Sequence, residues 1–278
     1  MNLVAVPKRI NQVRRFATSA YSLRDVPRAC LVGIARGSPF NGANVMTKLG
    51  RRWFPLIQFR PRMLQGGFIR LDTSDIGQLV SYEEIMVDCC YDLNLIPFTP
   101  DLVLDCGAHI GLFTRLAAAR YSGARLLAFE PHPGNCELLR PQFAELGGRA
   151  TLHQAAVSVE EGERWFSANC SNTGRLGRPA EEGWRVRVSD LRQVIVSECT
   201  GSLLLKVDVE GEELRIIPAV ASMLPKQCAV FFEIHHGDES WTAVTSSLKK
   251  AGFEIRLLRQ RSAFRDGLAV RVKHRSQS

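Results

Sequence analysis

From residue 102 to residue 272 the chain alternates short, almost wholly apolar runs with stretches whose apolar positions recur at helical spacing. The apolar runs predict strands at 102–105, 125–130, 151–157, 202–207, 228–234, 253–258 and 267–272. The periodic stretches predict helices at 111–120, 134–146, 212–223 and 239–251. A strand without polar alternation is buried on both faces, and the helix after it returns the chain for parallel pairing. The repeated β-α-β order therefore predicts an α/β fold, a mostly parallel sheet with helices on both faces. Only a charged loop separates the last two runs, so they close the chain as an antiparallel hairpin at the sheet edge.

Other regions depart from that alternation. Residues 158–190 carry Gly162, Asn172, Gly174, Gly177, Pro179 and Gly183, and read as an insertion. Two short strands are expected there, Arg164–Ala168 and Trp184–Val188, joined by a loop. Residues 1–62 are interrupted by Pro7, Pro27, Gly37, Pro39, Gly42, Gly50 and Pro55, with room for short helices at 8–22 and 43–53. Thr73-Ser74-Asp75 then supplies a helix N-cap, and Ile76 to Leu93 holds apolar residues at helical spacing before Pro97 and Pro100. The expected organisation is a partly helical N-terminal extension, 1–62, followed by one α/β domain, 63–278.

Charge separates these two parts. Of the formal net +8, residues 1–62 hold 12 Lys/Arg against the single acid Asp25, whereas residues 63–278 hold 24 against 27 Asp/Glu. The basic character belongs to the extension. Such a segment suits an anionic or membrane surface, nucleic acid, an organelle-targeting role, or simply a solvated helical face. No aromatic-interleaved basic stripe or zinc-finger spacing favours nucleic acid. No apolar run approaches the ~18 residues of a membrane span, and no secretory leader pattern opens the chain. Eight cysteines without a C-x-x-C pair fit a reducing, cytoplasmic setting.

The candidate chemistry gathers at strand ends. Asp105 closes the first strand of the alternation, Glu130 the second, Asp208 and Glu210 a later one, and Glu233, His235 and His236 the next. In an open parallel sheet, ligands bind outside the carboxyl ends of the strands. Gly107 and Gly111 allow a tight turn and close approach of a ligand to the first amides of the following helix. Glu130, an acceptor-only carboxylate, is suited to a ribose diol. Gly107-x-x-x-Gly111 is not the G-x-G-x-x-G of dinucleotide sites, because His109 stands where close pyrophosphate contact needs glycine. Asp105 adds negative charge there, which suits a cationic ammonium better than a diphosphate. A ribose diol joined to an α-amino acid describes S-adenosylmethionine. Asp208, Glu210 and Glu233 have the donors to gather a hard cation, although nothing in their spacing demands one.

The motifs Leu104-Asp105-Cys106-Gly107-Ala108-His109-Ile110-Gly111, Ala128-Phe129-Glu130-Pro131-His132-Pro133 and Ala155-Ala156-Val157 stand in order along the chain. Lys206-Val207-Asp208-Val209-Glu210-Gly211-Glu212-Glu213 and Phe232-Glu233-Ile234-His235 follow them. Together they resemble the FkbM-type class I S-adenosylmethionine-dependent methyltransferases over roughly residues 70–272. The resemblance implies a Rossmann-like sheet and O-methylation of a hydroxyl on a small molecule or glycan. It implies that Asp105, Gly107, Ala108 and Gly111 border the methionine moiety, Glu130 and Pro131 the ribose, and Ala156 and Val157 the adenine. An alcohol acceptor also needs a general base, for which Asp208 is the first candidate, His235 the second and Glu210 the third. His109 stands where the family usually has Asn, and Glu212 adds an acid where the family usually has Ala. A nucleotide-binding domain without transferase activity remains the alternative.

Overall fold

The computed structural model describes residues 14–20, 22–36, 56–168, 174–177, 183–235, 237–261 and 264–272. The expected helix at 43–53, and His236, lie outside the described residues. Residues 14–18 form one helical turn, followed by α1 (Val26–Arg36). Pro27, read in the sequence as a breaker, sits in the first turn of α1, where the missing amide donor costs nothing. A hairpin of β1 (Leu56–Phe59) and β2 (Ile69–Asp72) comes next, then α2 (Ile76–Tyr82). The Asp75 carboxylate accepts from the amides of Gly77 and Gln78, as the N-cap motif predicts. The expected long helix to Leu93 ends early: α2 widens into a π turn over Glu83–Val87, and Cys89 breaks it at φ 55°.

The main sheet combines β3 (Leu102–Cys106), β4 (Arg125–Phe129), β5 (Ala150–His153), β10 (Leu203–Val207), β11 (Cys228–Ile234), β12 (Glu254–Gln260) and β13 (Arg265–Arg271). Its strand order is β12-β13-β11-β10-β3-β4-β5. The five strands from β11 to β5 are parallel, and β13 runs antiparallel to both β11 and β12. That is the Rossmann-like, mostly parallel α/β sheet with a terminal antiparallel hairpin. Every residue of β3 and β10 is buried, and alternate side chains enter different cores. Val103 and Leu204 join one core with α3 (Leu112–Arg120). Leu102, Leu104, Leu203 and Leu205 join the other with α6 (Glu213–Val220) and α7 (Gly237–Lys250). Helix α4 (Pro133–Ala144) packs beside β4 through Leu139 and Phe143.

The strand expected at 151–157 is two strands in different sheets. After β5 the chain leaves the main sheet, and β6 (Ala156–Ser158) pairs with β9 (Trp184–Asp190). With β7 (Gly162–Ala168) and β8 (Gly174–Gly177) these form a second sheet of order β6-β9-β7-β8. The insertion is therefore a small sheet, richer than the two strands and loop expected. Asp190 ends β9 and caps α5 (Leu191–Glu198), a helix the sequence reading did not anticipate.

The β1/β2 hairpin spans residue 62, the expected limit of the extension. Phe16, Ala29, Val32, Ile57 and Phe59 are buried in the same core as Val103, Phe113 and Leu204. The Ser19 hydroxyl lies 2.6 Å from the Tyr82 hydroxyl, and the Arg62 amide donates to Ser19 O at 2.6 Å. Phe59 is 1% exposed, with its ring edge-on to Tyr82 at 5.3 Å between centroids. Phe59→Ala is expected to cost about 3–5 kcal/mol and lower the Tm by roughly 10 °C in a thermal melt. An unchanged Tm would mean that the segment before residue 62 is a separable extension.

Candidate active site

The carboxyl ends of β3, β4, β10 and β11 meet at one cavity of about 320 Å3. Gly107, Ala108, Glu130, Pro131, Ala156, Val157, Asp208, Glu210 and His235, all expected in the site, line it. Amides of Gly107 and Ala108 donate to Phe129 O at 3.0 and 2.9 Å, and the Asp208 amide donates to Cys106 O at 3.2 Å. These bonds continue the sheet past its strands and fix the loops against one another. Gly107 has φ +82°, and a Cβ there would lie 1.9 Å from Asp208 O, so only glycine lets the two loops touch.

Two expected cofactor contacts lie elsewhere. Asp105 is completely buried and does not line the cavity. Thr114 donates to its Oδ2 at 2.6 Å, and Lys206 Nζ stands 3.4 Å from Oδ1. Parallel register sets Asp105 directly beside Lys206, so the neighbouring strand supplies the cation that the sequence reading assigned to a ligand. Gly111 also stays off the cavity wall; at φ +81° it starts α3 and allows Leu139 of α4 to approach.

Glu130 is buried at the end of β4 and accepts three hydrogen bonds. The His109 amide donates to Oε2 at 2.7 Å, while the His132 amide and Asn135 Nδ2 donate to Oε1 at 2.8 and 3.2 Å. Burial pushes its carboxyl up to about 7, against the pull of those donors. A carboxylate offers about four lone-pair directions, so Oε2 retains one for a ligand hydroxyl. His109 holds φ +52°, a left-handed conformation open to His as to Asn, so the turn keeps its shape despite the departure from the family's usual residue. Burial also keeps the His109 imidazole neutral, lowering it to about 4. Phe129, Phe166 and Leu176 complete an apolar wall beside Ala156 and Val157, the last two side chains coming from the insertion sheet.

The other end of the cavity is ionic. Lys206 Nζ donates to Gly107 O at 2.7 Å and lies 3.5 Å from Asp208 Oδ2. Burial opposes its charge, but Asp105 and Asp208 outweigh that and hold the ammonium above its ordinary value. Asp208 keeps 28% of its side chain exposed, toward the cavity, with the Tyr91 hydroxyl 3.5 Å away. His235 Nε2 lies 2.9 Å from Glu233 and 3.6 Å from Glu210. Burial disfavours charge on His235, yet Glu213 and Glu233 override it and push the imidazole up to about 11. Burial also raises Glu210 to about 7 and, with Asp208 nearby, Glu233 to about 9.

Those shifts carry a stability consequence. A raised folded-state value means stabilisation that is complete below the unfolded value and is lost as pH climbs through the folded one. His235, raised from 6.5 to about 11, and Glu233, raised from 4.5 to about 9, act in the same sense. The Tm of the ligand-free protein is expected to fall between about pH 6.5 and 9; a rise across that window would contradict the described cluster.

Lys206, Tyr91, Glu84, Arg259 and Arg261 also line the cavity, although the sequence reading gave them no role. Lys206 was legible: a lysine in the otherwise apolar Leu203–Val207 needs a buried partner. Tyr91 and the two arginines carry no local signal, since only the tertiary fold brings them to the strand ends.

The donor fits this cavity on structural grounds. Glu130 holds an open acceptor direction, the glycine turn leaves backbone uncovered, and an apolar slot for a base adjoins both. Among curated proteins, the chain is 28% identical to the 31-O-demethyl-FK506 methyltransferase FkbM of Streptomyces tacrolimicus, covering 63% of this chain and 81% of that one. It is 46% identical over 176 residues to the methyltransferase sdnD of Sordaria araneosa, covering 50% of this chain and 67% of that one. Among solved structures, the precorrin-6y C5,15-methyltransferase of Geobacter metallireducens aligns with a TM-score of 0.41 at 13% identity, covering 64% of this chain and 84% of that one. The methyltransferase FkbM domain matches residues 105–255, more than half of the chain. The chain belongs to the FkbM methyltransferase family and is a methyltransferase whose donor is S-adenosylmethionine.

Proposed function

We propose that the protein transfers a methyl group to a hydroxyl oxygen of a small molecule or glycan. The observation that carries this reading is the shared cavity. Asp208, a solvent-touching carboxylate, lines the same space as the Gly107 turn and Glu130. The name of the Streptomyces tacrolimicus relative, a 31-O-demethyl-FK506 methyltransferase, points the same way.

When bound, S-adenosylmethionine supplies a methyl group activated by its sulfonium. Glu130 would accept from the ribose diol, with Pro131 beside it, and Ala156 and Val157 would border the adenine. The Gly107–Ala108 backbone would border the methionine end, with Lys206 bracing that turn through its bond to Gly107 O. Such holding and exclusion of water supply much of the rate of an in-line displacement. Asp208 takes the proton of the acceptor hydroxyl. In the ligand-free protein Glu213 and Glu233 favour the protonated form of His235, which disfavours it as base, and Glu210 is second in line. The exposed Arg14, Arg24 and Arg28 leave an anionic surface as a further partner for the N-terminal segment.

Incubating the full chain with methyl-labelled donor and a panel of hydroxylated small molecules and glycosides tests the reading. The expected product carries one new methyl on oxygen. Transfer to nitrogen or carbon would overturn the hydroxyl assignment, and donor binding without turnover across a broad panel would favour a silent binding domain.

A further inference from the structure

We propose that Asp208, Glu233 and His235 form a binding site for a divalent cation of the Mn2+ type at the acceptor end of the cavity. One ligand atom from each lies within 4.8 Å of the others, and all three side chains are half-buried and face the cavity. They project from the ends of adjacent parallel strands, β10 and β11, so their spacing is set by the sheet itself.

Residues outside the trio surround its donors. His235 turns Nε2 toward Glu233 and the cavity, and Nδ1 toward Glu213 at 3.7 Å. Glu213 is 1% exposed and is fixed by the amides of Val209 and Gly211 at 2.8 and 2.7 Å. At 3.7 Å no hydrogen bond forms and the buried Nδ1 has no hydrogen-bond partner, so Glu213 would have to close on it to orient the ring as a metal ligand. Behind Glu233, across the antiparallel register, Asp266 is 3% exposed. Its Oδ2 is paired with Arg259, and its buried Oδ1 has no hydrogen-bond partner. Asp208, Glu210, Glu213 and Glu233 thus gather around Lys206 and His235, and a divalent ion bound among them would displace the proton that His235 holds.

The donor set disfavours Mg2+. Two carboxylates with one imidazole suit Mn2+ better than Mg2+, which prefers oxygen ligands and keeps its waters. Three protein ligands leave positions open toward the cavity. The role of those positions rests on the hydroxyl reading above: an acceptor bearing a second oxygen beside its hydroxyl would chelate the ion, which would hold that hydroxyl and lower its pKa. Cation binding itself does not depend on that reading.

Electron paramagnetic resonance titration of Mn2+ into the full chain, without acceptor, decides the matter, with donor binding measured by calorimetry on the same samples. One saturable Mn2+ site per chain is expected. Glu233→Gln and His235→Gln should each weaken it by more than tenfold, and Glu213→Gln by about tenfold, the size seen for outer-shell changes. Wild-type protein that binds the donor but shows no saturable Mn2+ site would overturn the proposal without any variant. So would a site of unchanged affinity in Glu233→Gln and His235→Gln proteins that still bind the donor. A confirmed Mn2+ site with methyl transfer to nitrogen would sink the hydroxyl reading and leave this one standing.

Discussion

Asp208→Asn is expected to lower kcat by about a hundred- to ten-thousand-fold, the usual worth of a positioned general base. The affinity for S-adenosylmethionine should change little. The asparagine keeps the shape of the side chain and its place beside Lys206 Nζ, 3.5 Å away, but it cannot take a proton. Glu210, in the same cavity and pushed up to about 7 by burial, remains as a weak substitute. A variant with the wild-type rate would exclude Asp208 as the base. A variant with equal losses in donor affinity and rate would make Asp208 a donor-binding residue instead. Single-turnover kinetics with calorimetric donor titration separates these outcomes.

Glu130→Ala is expected to weaken donor binding by about a hundredfold or more. Hydrogen bonds to an ionised acceptor are worth about 1.5–3 kcal/mol each, and a donor left unsatisfied in a buried site adds its own cost. The substitution removes the acceptor for the ribose and strands the His109 and His132 amides. Because burial holds Glu130 near 7, wild-type affinity should rise as pH climbs through that value, since a hydroxyl donates better to the ionised form. Glu130→Gln should lose that pH dependence as well as affinity. Unchanged binding in both variants would remove Glu130 from the ribose.

The parallel sheet and the strand-end residues were legible in the sequence because burial on both faces writes continuous apolar runs, such as Leu102–Cys106 and Cys228–Ile234. The polar residue just past a run, such as Glu130 or Asp208, then faces the ligand edge. What failed did so for local reasons. Ala156–Ser158 looks like the continuation of Ala150–His153, but it pairs in another sheet, and no periodicity distinguishes the two. Pro27 masked α1, although a first-turn proline is compatible with a helix. Asp105 was read by its position alone, while its chemistry is decided by the strand beside it. Once Lys206 occupies that side, the acid holds the lysine, and the lysine holds the Gly107 turn. The ionic end of the cavity also takes in Tyr91, Arg259, Arg261 and Phe264, and only the fold brings the last three to Tyr91.

A crystal structure of the full chain with S-adenosylhomocysteine tests the central claim most directly. The account expects the ribose diol on Glu130 Oε2, the adenine against Ala156 and Val157, and the sulfur facing Asp208 across the open end of the cavity. A ligand lodged away from Glu130, or one whose sulfur points away from Asp208, would contradict it.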